Sequence, residues 1–344
     1  MSVVPQLKGF LLGHDRLCVV KAPPGSGKSF NLVQTLAAVV DTDLRVVVAA
    51  QTNNQVDDLC AQIANAYPTT RVVRFSSGRY SGAVASNVEI LSKVDQLPVG
   101  PSIVVGTVSK LAISTFDQSY DVLFVDEAWQ MTWADLLTLR DVSARYVLIG
   151  DPGQIPPVVT IDVDRWEVSP VAPHRPAPDV ILRNPELRNI TTVLELQCVY
   201  AADDGEADTP RDLTPADIGI VSTHNLMNTA IENALPAALR GTKGIRVTTP
   251  ERWQGLQKPV MIAVHPLSGI ASPSSFDLET GRLCVMASRH RSACFFVTRD
   301  NVGRTLDVHL PNADQALGCH DIVGRGHAQH TAFWKYHEER DLVV

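Results

Sequence analysis

Apolar runs alternate with amphipathic stretches through the first half of the chain. The predicted strands are short and rich in Val, Ile and Leu, and they cover residues 17–20, 44–50, 71–75, 102–106, 121–125 and 144–149. Strands of this composition are typical of a parallel sheet, because helices bury both of its faces. Helices are predicted between them, for example over 28–40 and 54–66. The pattern predicts an α/β fold with a doubly wound parallel sheet.

The alternation is interrupted twice and then resumes. Residues 169–178 contain four prolines, which argues against a helix or a central strand and predicts a surface linker or a crossover. Residues 201–213 are acidic, contain Gly and Pro, and predict a loop. Further strands are predicted over 218–222, 245–248, 259–265 and 293–298, and helices over 226–239, 283–291 and 328–342. We therefore expect two α/β domains, residues 1–185 and 186–344.

Composition limits the class of protein. The chain has 344 residues, of which 45% are hydrophobic, as in ordinary globular domains. No apolar run approaches the about 20 residues of a membrane span, and the first residues lack a signal-peptide pattern. We expect a cytoplasmic protein that does not bind a membrane, with its scattered cysteines reduced. The net charge of −7 argues against tight non-specific DNA binding but leaves room for a local basic groove.

A glycine-rich loop follows the first predicted strand and precedes a predicted helix. Residues 22–29 read Ala-Pro-Pro-Gly-Ser-Gly-Lys-Ser, which is a Walker A sequence except that Ala22 replaces the usual first glycine. Such a loop surrounds phosphates with backbone N–H groups, so its glycines must allow positive φ. Lys28 is expected to neutralise the β and γ phosphates, and the hydroxyl of Ser29 to hold Mg²⁺. The expected ligands are ATP and Mg²⁺.

Two acidic residues end a later strand. Asp126 is expected to act as a Mg²⁺ ligand, and Glu127 to orient or deprotonate the attacking water. A solvated turn would explain such a pair equally well in isolation, but the preceding glycine-rich loop favours function. The Gly- and Pro-rich turn after the next strand contains Gln154, which is expected to contact the γ-phosphate or the attacking water.

The order of these segments resembles superfamily 1 helicases, and most closely the branch that contains the nonsense-mediated-decay helicase. Further segments carry the resemblance: residues 50–57 resemble motif Ia, 106–107 motif Ic, 249–255 motif V and 283–291 motif VI. The family implies two RecA-like domains with ATP in the cleft between them. It also implies a helicase or translocase that acts on single-stranded DNA or RNA.

The resemblance assigns residues to roles. Arg289 corresponds to the motif VI arginine that reaches the γ-phosphate, and it joins Lys28, Glu127 and Gln154 as a catalytic candidate. The candidates for nucleotide binding are Gln6, Pro24, Gly25, Ser26, Gly27, Lys28, Ser29, Phe30, Tyr200 and Gly255. The candidates for nucleic-acid binding are Thr52, Asn53, Thr107, Thr223, His224, Arg252, Trp253 and Gln254. Ordinary solvated turns are the alternative interpretation of the polar loop residues among them.

One departure from the family concerns hydrolysis. Motif IV normally has an arginine after its tyrosine, but here Tyr200 is followed by Ala201, and the second domain is shorter than usual. This supports an alternative in which the protein is an ATP-binding switch, or a hydrolysis-impaired relative that binds nucleic acid or a protein partner. A small-molecule kinase would share the loop but would not explain Gln154 or Arg289.

The histidines near the end of the chain suggest two interpretations. Cys319, His320, His327, His330 and His337 invite a zinc site, but their spacing matches no common zinc module. We expect instead a surface helix that carries histidines.

Overall fold

The structure is a computed structural model, and its described residues form two compact units. The first unit comprises Met1–Pro152 and Pro156–Tyr200, and the second comprises Gly153–Ile155 and Ala201–Val344. The described residues are 3–23, 25–40, 42, 44–82, 84–157, 159, 163–166, 168–196, 212–240, 244–254, 256–309 and 322–340. None of the described helices is both long enough and apolar enough to cross a bilayer.

The first unit is built on an eight-stranded sheet whose described pairings are all parallel. Its strands are β1 (Leu17–Lys21), β2 (Arg45–Ala50), β3 (Val72–Phe75), β4 (Val88–Leu91), β5 (Ser102–Thr107), β6 (Val122–Val125), β7 (Tyr146–Gly150) and β8 (Thr191–Glu195). Their order is β4-β3-β5-β2-β6-β7-β1-β8. Because the strands are parallel, the loops that follow β1, β2, β5, β6 and β7 all leave the same edge of the sheet.

Helices cover both faces of this sheet. They are α1 (Val4–Leu12), α2 (Lys28–Val40), α3 (Asn53–Ala66), α4 (Val108–Ala112), α5 (Trp133–Thr138), α6 (Ala177–Arg183) and α7 (Pro185–Asn189). Alternate residues of β2 enter two separate cores: Val46 and Val48 pack with residues of α1, α2 and α3, whereas Val47 and Ala49 pack with residues of α4, α5 and α6. This two-sided burial confirms the predicted doubly wound α/β fold.

Two expectations for the end of this unit differ from the structure. The proline-rich stretch was expected to exclude a helix, yet α6 begins inside it. Pro178 lies in the first turn of α6, where a backbone N–H has no intrahelical partner and its loss costs little. The expected domain boundary after residue 185 also differs from the observed packing. Strand β8 lies beyond it and pairs in parallel with β1, from Leu17 opposite Thr191 to Lys21 opposite Glu195.

The second unit has a smaller parallel sheet. Its strands are β9 (Ile218–Val221), β10 (Arg246–Thr248), β11 (Lys258–Val264) and β12 (His290–Val297), in the order β10-β9-β11-β12. Its helices are α8 (Asn225–Ala234), α9 (Pro250–Trp253), α10 (Thr280–Ser288), α11 (Asn301–Val308) and α12 (Ile322–Glu338). Ile155 packs in its core with Val221, Trp253 and Met286, which explains why the short segment Gly153–Ile155 belongs to this unit.

The helix α12 carries several histidines and differs from the surface helix expected from the sequence, because one of its faces is buried. His330 is fully buried, and its ring meets that of His265 edge-to-face at 5.3 Å between centroids. Phe333 and Trp334 also contact the His265 ring. The helix therefore uses one aromatic and histidine-rich face to pack onto the end of β11.

Candidate nucleotide-binding site

The glycine-rich loop leaves the end of β1 in a conformation suited to phosphates. Gly25 and Gly27 have φ values of 73° and 71°, in the left-handed region that glycine adopts without strain. The loop starts from a fixed point, since the N–H of Ala22 donates to the carbonyl of Gly150 at the end of β7, 2.7 Å away. Ala22 is itself buried, so the methyl group that replaces the usual glycine hydrogen is accommodated.

Asn31, in the first turn of α2, ties the loop to the N-terminal helix. Its Nδ2 donates to the carbonyl of Gly27 at 2.9 Å, and its Oδ1 accepts from the backbone N–H of Val3 at 3.3 Å. Asn31 was not among the residues predicted from the sequence. Its position one turn after Gly27 could have identified it, because an asparagine there can reach back to a loop carbonyl.

The two acidic candidates lie where β6 ends. The backbone N–H of Asp126 donates to Ala49 of the neighbouring strand at 2.8 Å. Glu127 then turns sharply with φ 55° and ψ 41°, and it is the one non-glycine residue with positive φ among the described residues. A left-handed glutamate costs about 1–2 kcal/mol, and such strain is concentrated at functional sites.

Lys28 joins the loop to these acids. Its ammonium nitrogen lies 3.3 Å from Oδ1 of Asp126 and also pairs with the carboxylate of Glu127. Burial disfavours the charged lysine, but the two carboxylates outweigh it, so the pKa of Lys28 is raised. Burial likewise raises the pKa of Asp126, and the charge of Lys28 only partly offsets that effect. Three ionisable groups thus share one largely desolvated pocket.

The residues fit a phosphate ligand with a divalent metal ion. Within the described part of the chain, the buried atoms Ser26 Oγ and Glu127 Oε2 have no hydrogen-bond partner. Buried polar atoms left in this state normally serve a ligand or water. Ser29 lies half-buried in the first turn of α2. Hydroxyl and carboxylate oxygens are the donors that Mg²⁺ prefers, so Ser29 and Asp126 are a suitable donor set.

Of the remaining candidates for nucleotide binding, two are exposed on helices and three lie outside the described residues. Gln6 is exposed on α1, which packs against α2, and Phe30 is exposed near the start of α2. Pro24, Tyr200 and Gly255 lie outside the described residues.

Two catalytic candidates belong to the second unit. Gln154 is buried there, and its Oε1 accepts no hydrogen bond from any described residue. Arg289 ends α10, its backbone carbonyl accepts from the N–H of Lys258 at 3.0 Å, and its side chain is mostly buried. Nε of Arg289 is also unpartnered within the described segments.

The nucleic-acid candidates of the first unit lie at helix starts. Thr52 caps α3, accepting from the N–H of Gln55 at 3.3 Å, and Thr107 caps α4, accepting from the N–H of Lys110 at 3.2 Å. Capping alone explains a threonine at both positions. Asn53 differs from them, since its exposed side chain is held from behind by Arg74.

The candidates of the second unit differ in exposure. Arg252 is exposed, whereas Thr223 is buried and Gln254 is half-buried. His224 is partly exposed, lies 3.4 Å from Oδ1 of Asp277 and contacts the ring of Phe276.

The position of Trp253 contradicts the prediction that it binds nucleic acid. Its side chain is fully buried, and its indole N–H donates to the carbonyl of Ile220 at 3.3 Å. The ring packs so closely on β9 that a Cβ at Gly219 would lie 2.6 Å from it. Trp253 is therefore a core residue and is not available to stack on a base.

No group of three or more His, Cys, Asp or Glu side chains in the described segments is arranged to hold a metal ion. Cys319 and His320 lie outside these segments. His330, another member of the considered zinc set, is instead packed against His265.

Comparisons with known proteins agree with this geometry. Residues 6–165 match the AAA domain family. Replicase polyprotein 1ab of Bat coronavirus HKU9 is 30% identical over 147 residues, which are 42% of this chain and 2% of that protein. The DNA replication ATP-dependent helicase/nuclease JHS1 of Arabidopsis thaliana is 29% identical over 145 residues, 40% of this chain and 11% of that protein. The matched region is thus a small part of each relative.

A solved structure supports the fold of a longer stretch. An arterivirus nonstructural protein 10 (helicase), determined in complex with DNA, aligns with a TM-score of 0.50 at 17% identity. The alignment covers 87% of this chain and 63% of that one. The arrangement of Lys28, Asp126 and Glu127 as a P-loop site, together with these similarities, supports the resemblance to superfamily 1 helicases.

Proposed function

We propose that the chain is a nucleic-acid-dependent ATPase, a helicase or translocase that acts on single-stranded DNA or RNA. The observation that carries the proposal is the pairing of Lys28 with Asp126 and Glu127 beside a loop whose glycines have left-handed φ. The similarity of 40% of this chain to a helicase/nuclease and the motif V and VI resemblances support the nucleic-acid part.

Nucleotide binding begins with an exchange of partners at Lys28. The ammonium group leaves the two carboxylates and neutralises the β and γ phosphates, while N–H groups of residues 25–29 surround them. Ser29 and Asp126 would hold Mg²⁺, which supplies positive charge to the phosphate oxygens during transfer. The exchange leaves the carboxylate of Glu127 without its cation and free to accept a proton.

Glu127 is proposed as the group that orients and deprotonates the attacking water. Its left-handed backbone changes the direction of the chain just after β6, so the side chains of Asp126 and Glu127 leave the backbone in different directions. A well-placed general base contributes about 10²–10⁴ to a rate. Gln154 is proposed to contact the same water or the γ-phosphate.

Arg289 is proposed to stabilise charge on the transferring phosphoryl group. Arginines in this role contribute about 10³–10⁵ to the rate of hydrolysis. Its role is carried over from the motif VI resemblance, and the unpartnered Nε is consistent with a group that binds an anion.

Nucleic acid is proposed to contact polar residues near the loops that follow the strands. Among the candidates, Thr52, Asn53, His224 and Arg252 are exposed, and Thr107 and Gln254 are half-buried. Action in the cytoplasm and the possibility of a protein partner remain predictions from the sequence.

An ATPase assay titrated with single-stranded DNA and, separately, with single-stranded RNA tests the proposal. The wild type is expected to hydrolyse ATP faster as either strand is added. Glu127→Gln is expected to bind ATP with little change but to lose most turnover, since glutamine keeps the size and removes the base. A wild-type rate that neither strand raises would contradict the nucleic-acid part.

A second candidate is an ATP-binding switch with impaired hydrolysis. It is favoured by Ala201, which stands where the family has an arginine. Tight ATP binding with negligible turnover, whether or not nucleic acid is present, would select this candidate. Ala201→Arg offers a direct comparison, because an increase in the stimulated rate would show that the missing guanidinium limits hydrolysis.

A further inference from the structure

A fully buried arginine lies behind one of the nucleic-acid candidates. Arg74 is in β3, in the interior of the first sheet, and its side chain has no exposed surface. A buried charge is stable only when it is paired and its N–H groups are bonded. The partners of Arg74 are therefore groups whose positions this arginine helps to fix.

The guanidinium of Arg74 makes three well-formed hydrogen bonds. Nε donates to Oδ1 of Asp57 at 2.8 Å, Nη1 donates to the carbonyl of Phe75 at 3.0 Å, and Nη2 donates to Oδ1 of Asn53 at 2.7 Å. The ring of Tyr80 covers the guanidinium, 4.5 Å from its carbon. Asp57 cancels the charge, so Arg74 itself offers nothing to a phosphate.

Asn53 and Asp57 are four residues apart on α3, so they lie on one face of its first turn. Arg74 bridges them and thereby fixes this turn against β3. The start of α3 is fixed independently by the reciprocal bonds between Thr52 and Gln55, at 3.0 and 3.3 Å. The side chain of Asn53 therefore projects from a rigid base.

The bond to Arg74 also determines which end of the Asn53 amide is available. An asparagine side chain has one acceptor oxygen and one NH₂ donor. Its oxygen is occupied by the guanidinium, so the NH₂ group is the end left for a ligand, and Asn53 is exposed. A donor is the kind of group that binds a phosphodiester oxygen.

We propose that Arg74 is a positioning residue that holds the Asn53 amide with its NH₂ group directed to a phosphodiester oxygen of the bound strand. The inference rests on the proposed function, because it requires that single-stranded nucleic acid bind near the start of α3. In this proposal Arg74 does not contact the nucleic-acid strand, but it determines which group of Asn53 does.

The test measures binding of a fluorescently labelled single-stranded oligothymidine by anisotropy, with nucleotide affinity and thermal unfolding recorded for each variant. Asn53→Asp keeps an acceptor for Arg74 and removes the NH₂ donor. We expect its affinity for the strand to fall by about tenfold or more, with nucleotide affinity unchanged. Asn54→Asp is the matched control, since it places the same charge on the next exposed position. An equal loss in both variants would show repulsion alone and overturn the proposal.

A double-mutant cycle tests the role of Arg74 itself. Arg74→Lys keeps the charge beside Asp57 but lacks the planar fork that also reaches Asn53. We expect it to weaken strand binding several-fold in the wild-type background and to have little effect when Asn53 is already alanine. A residue that only supports the fold would weaken binding equally in both backgrounds, which would contradict the inference.

The outcomes separate this inference from the proposed function. Wild-type protein that binds the oligothymidine while Asn53→Asp binds equally well would overturn the positioning role and leave the proposed function standing. Wild-type protein that binds neither DNA nor RNA would overturn both. If Arg74→Lys does not fold, the paired variants at Asn53 and Asn54 still decide whether the NH₂ donor contacts the strand.

Discussion

The ammonium nitrogen of Lys28 lies 3.3 Å from Oδ1 of Asp126, with both side chains largely removed from solvent. The cation expected to bind phosphate is thus already engaged with the carboxylates that flank the site. Nucleotide must therefore compete with an internal ion pair, and the carboxylates must find a new counter-charge when it binds. Stability and ligand binding are linked at this lysine.

Replacing Lys28 by methionine is expected to abolish nucleotide binding and also to destabilise the free protein. Removal of the cation leaves Asp126 and Glu127 buried together without a counter-charge, and breaking a buried pair in this way costs about 3–5 kcal/mol. Urea unfolding measures the loss.

A double variant provides the control for that result. Adding Asp126→Asn to Lys28→Met removes one of the stranded carboxylates, so we expect much of the stability to return while nucleotide binding stays absent. Equal stability of the wild type and Lys28→Met would show that the ion pair contributes nothing to the fold.

The left-handed backbone of Glu127 predicts a difference between two inactivating variants. Glu127→Gly and Glu127→Ala both remove the carboxylate, but only glycine adopts φ 55° without strain. We expect the glycine variant to be more stable than the alanine variant by about 1 kcal/mol. Thermal unfolding of the two proteins, measured side by side, tests this. Greater stability of the alanine variant would contradict the assigned conformation.

Trp253 is expected to contribute to folding and not to strand binding. Trp253→Phe removes the hydrogen bond to Ile220 and leaves a small cavity, at a cost on the order of 2 kcal/mol, below the about 3–5 kcal/mol of full truncation. Trp166→Phe, at a partly exposed position, is the matched control and should cost little. A loss of oligonucleotide affinity at unchanged stability would instead indicate base stacking.

Two buried histidines, His265 and His330 of α12, predict that mild acid destabilises the folded protein. Burial, with the charges of His330 and His337, lowers the pKa of His265 to about 3. Burial, with the charge of His327 and against that of Asp277, lowers the pKa of His330 to about 4. Both residues bind protons more readily when unfolded. Their contribution is therefore complete above the unfolded pKa of about 6.5 and is lost as pH falls towards the folded values.

Urea unfolding between about pH 7 and about pH 5 measures this effect. We expect a loss of about 2 kcal/mol per histidine at the lower pH. His330→Leu should flatten the pH dependence, because one of the two groups can no longer titrate. An unchanged slope in that variant would assign the effect to other groups.

The sequence was most informative where one local pattern determines the structure. Lys28–Val40 matches the predicted helix at both ends, because the loop before it and the apolar face along it both mark its bounds. Strands β2 and β5 differ from their predicted bounds by one residue, since each is a continuous apolar run between polar ends. Asp126 and Glu127 could be placed at the sheet edge for the same reason.

What the sequence could not show depends on long-range packing. Trp253 lies in a motif that suggested ligand contact, and only its packing on Gly219 shows that it fills the core. In the sequence Arg74 is one polar residue within a predicted strand, and its partner Asn53 is 21 residues away. His330 is a similar case, because the ring that packs against it belongs to His265, 65 residues earlier in the chain.

The pairing of β1 with β8 has a consequence for the order in which the protein can fold during synthesis. Leu17 is opposite Thr191, so the strand that precedes the phosphate loop gains its second neighbour only after more than half of the chain has left the ribosome. Until then one edge of β1 exposes unpaired backbone groups, a state that favours association with other chains. Nascent chains halted before β8 should therefore need chaperones, and release shortly after it should end that need.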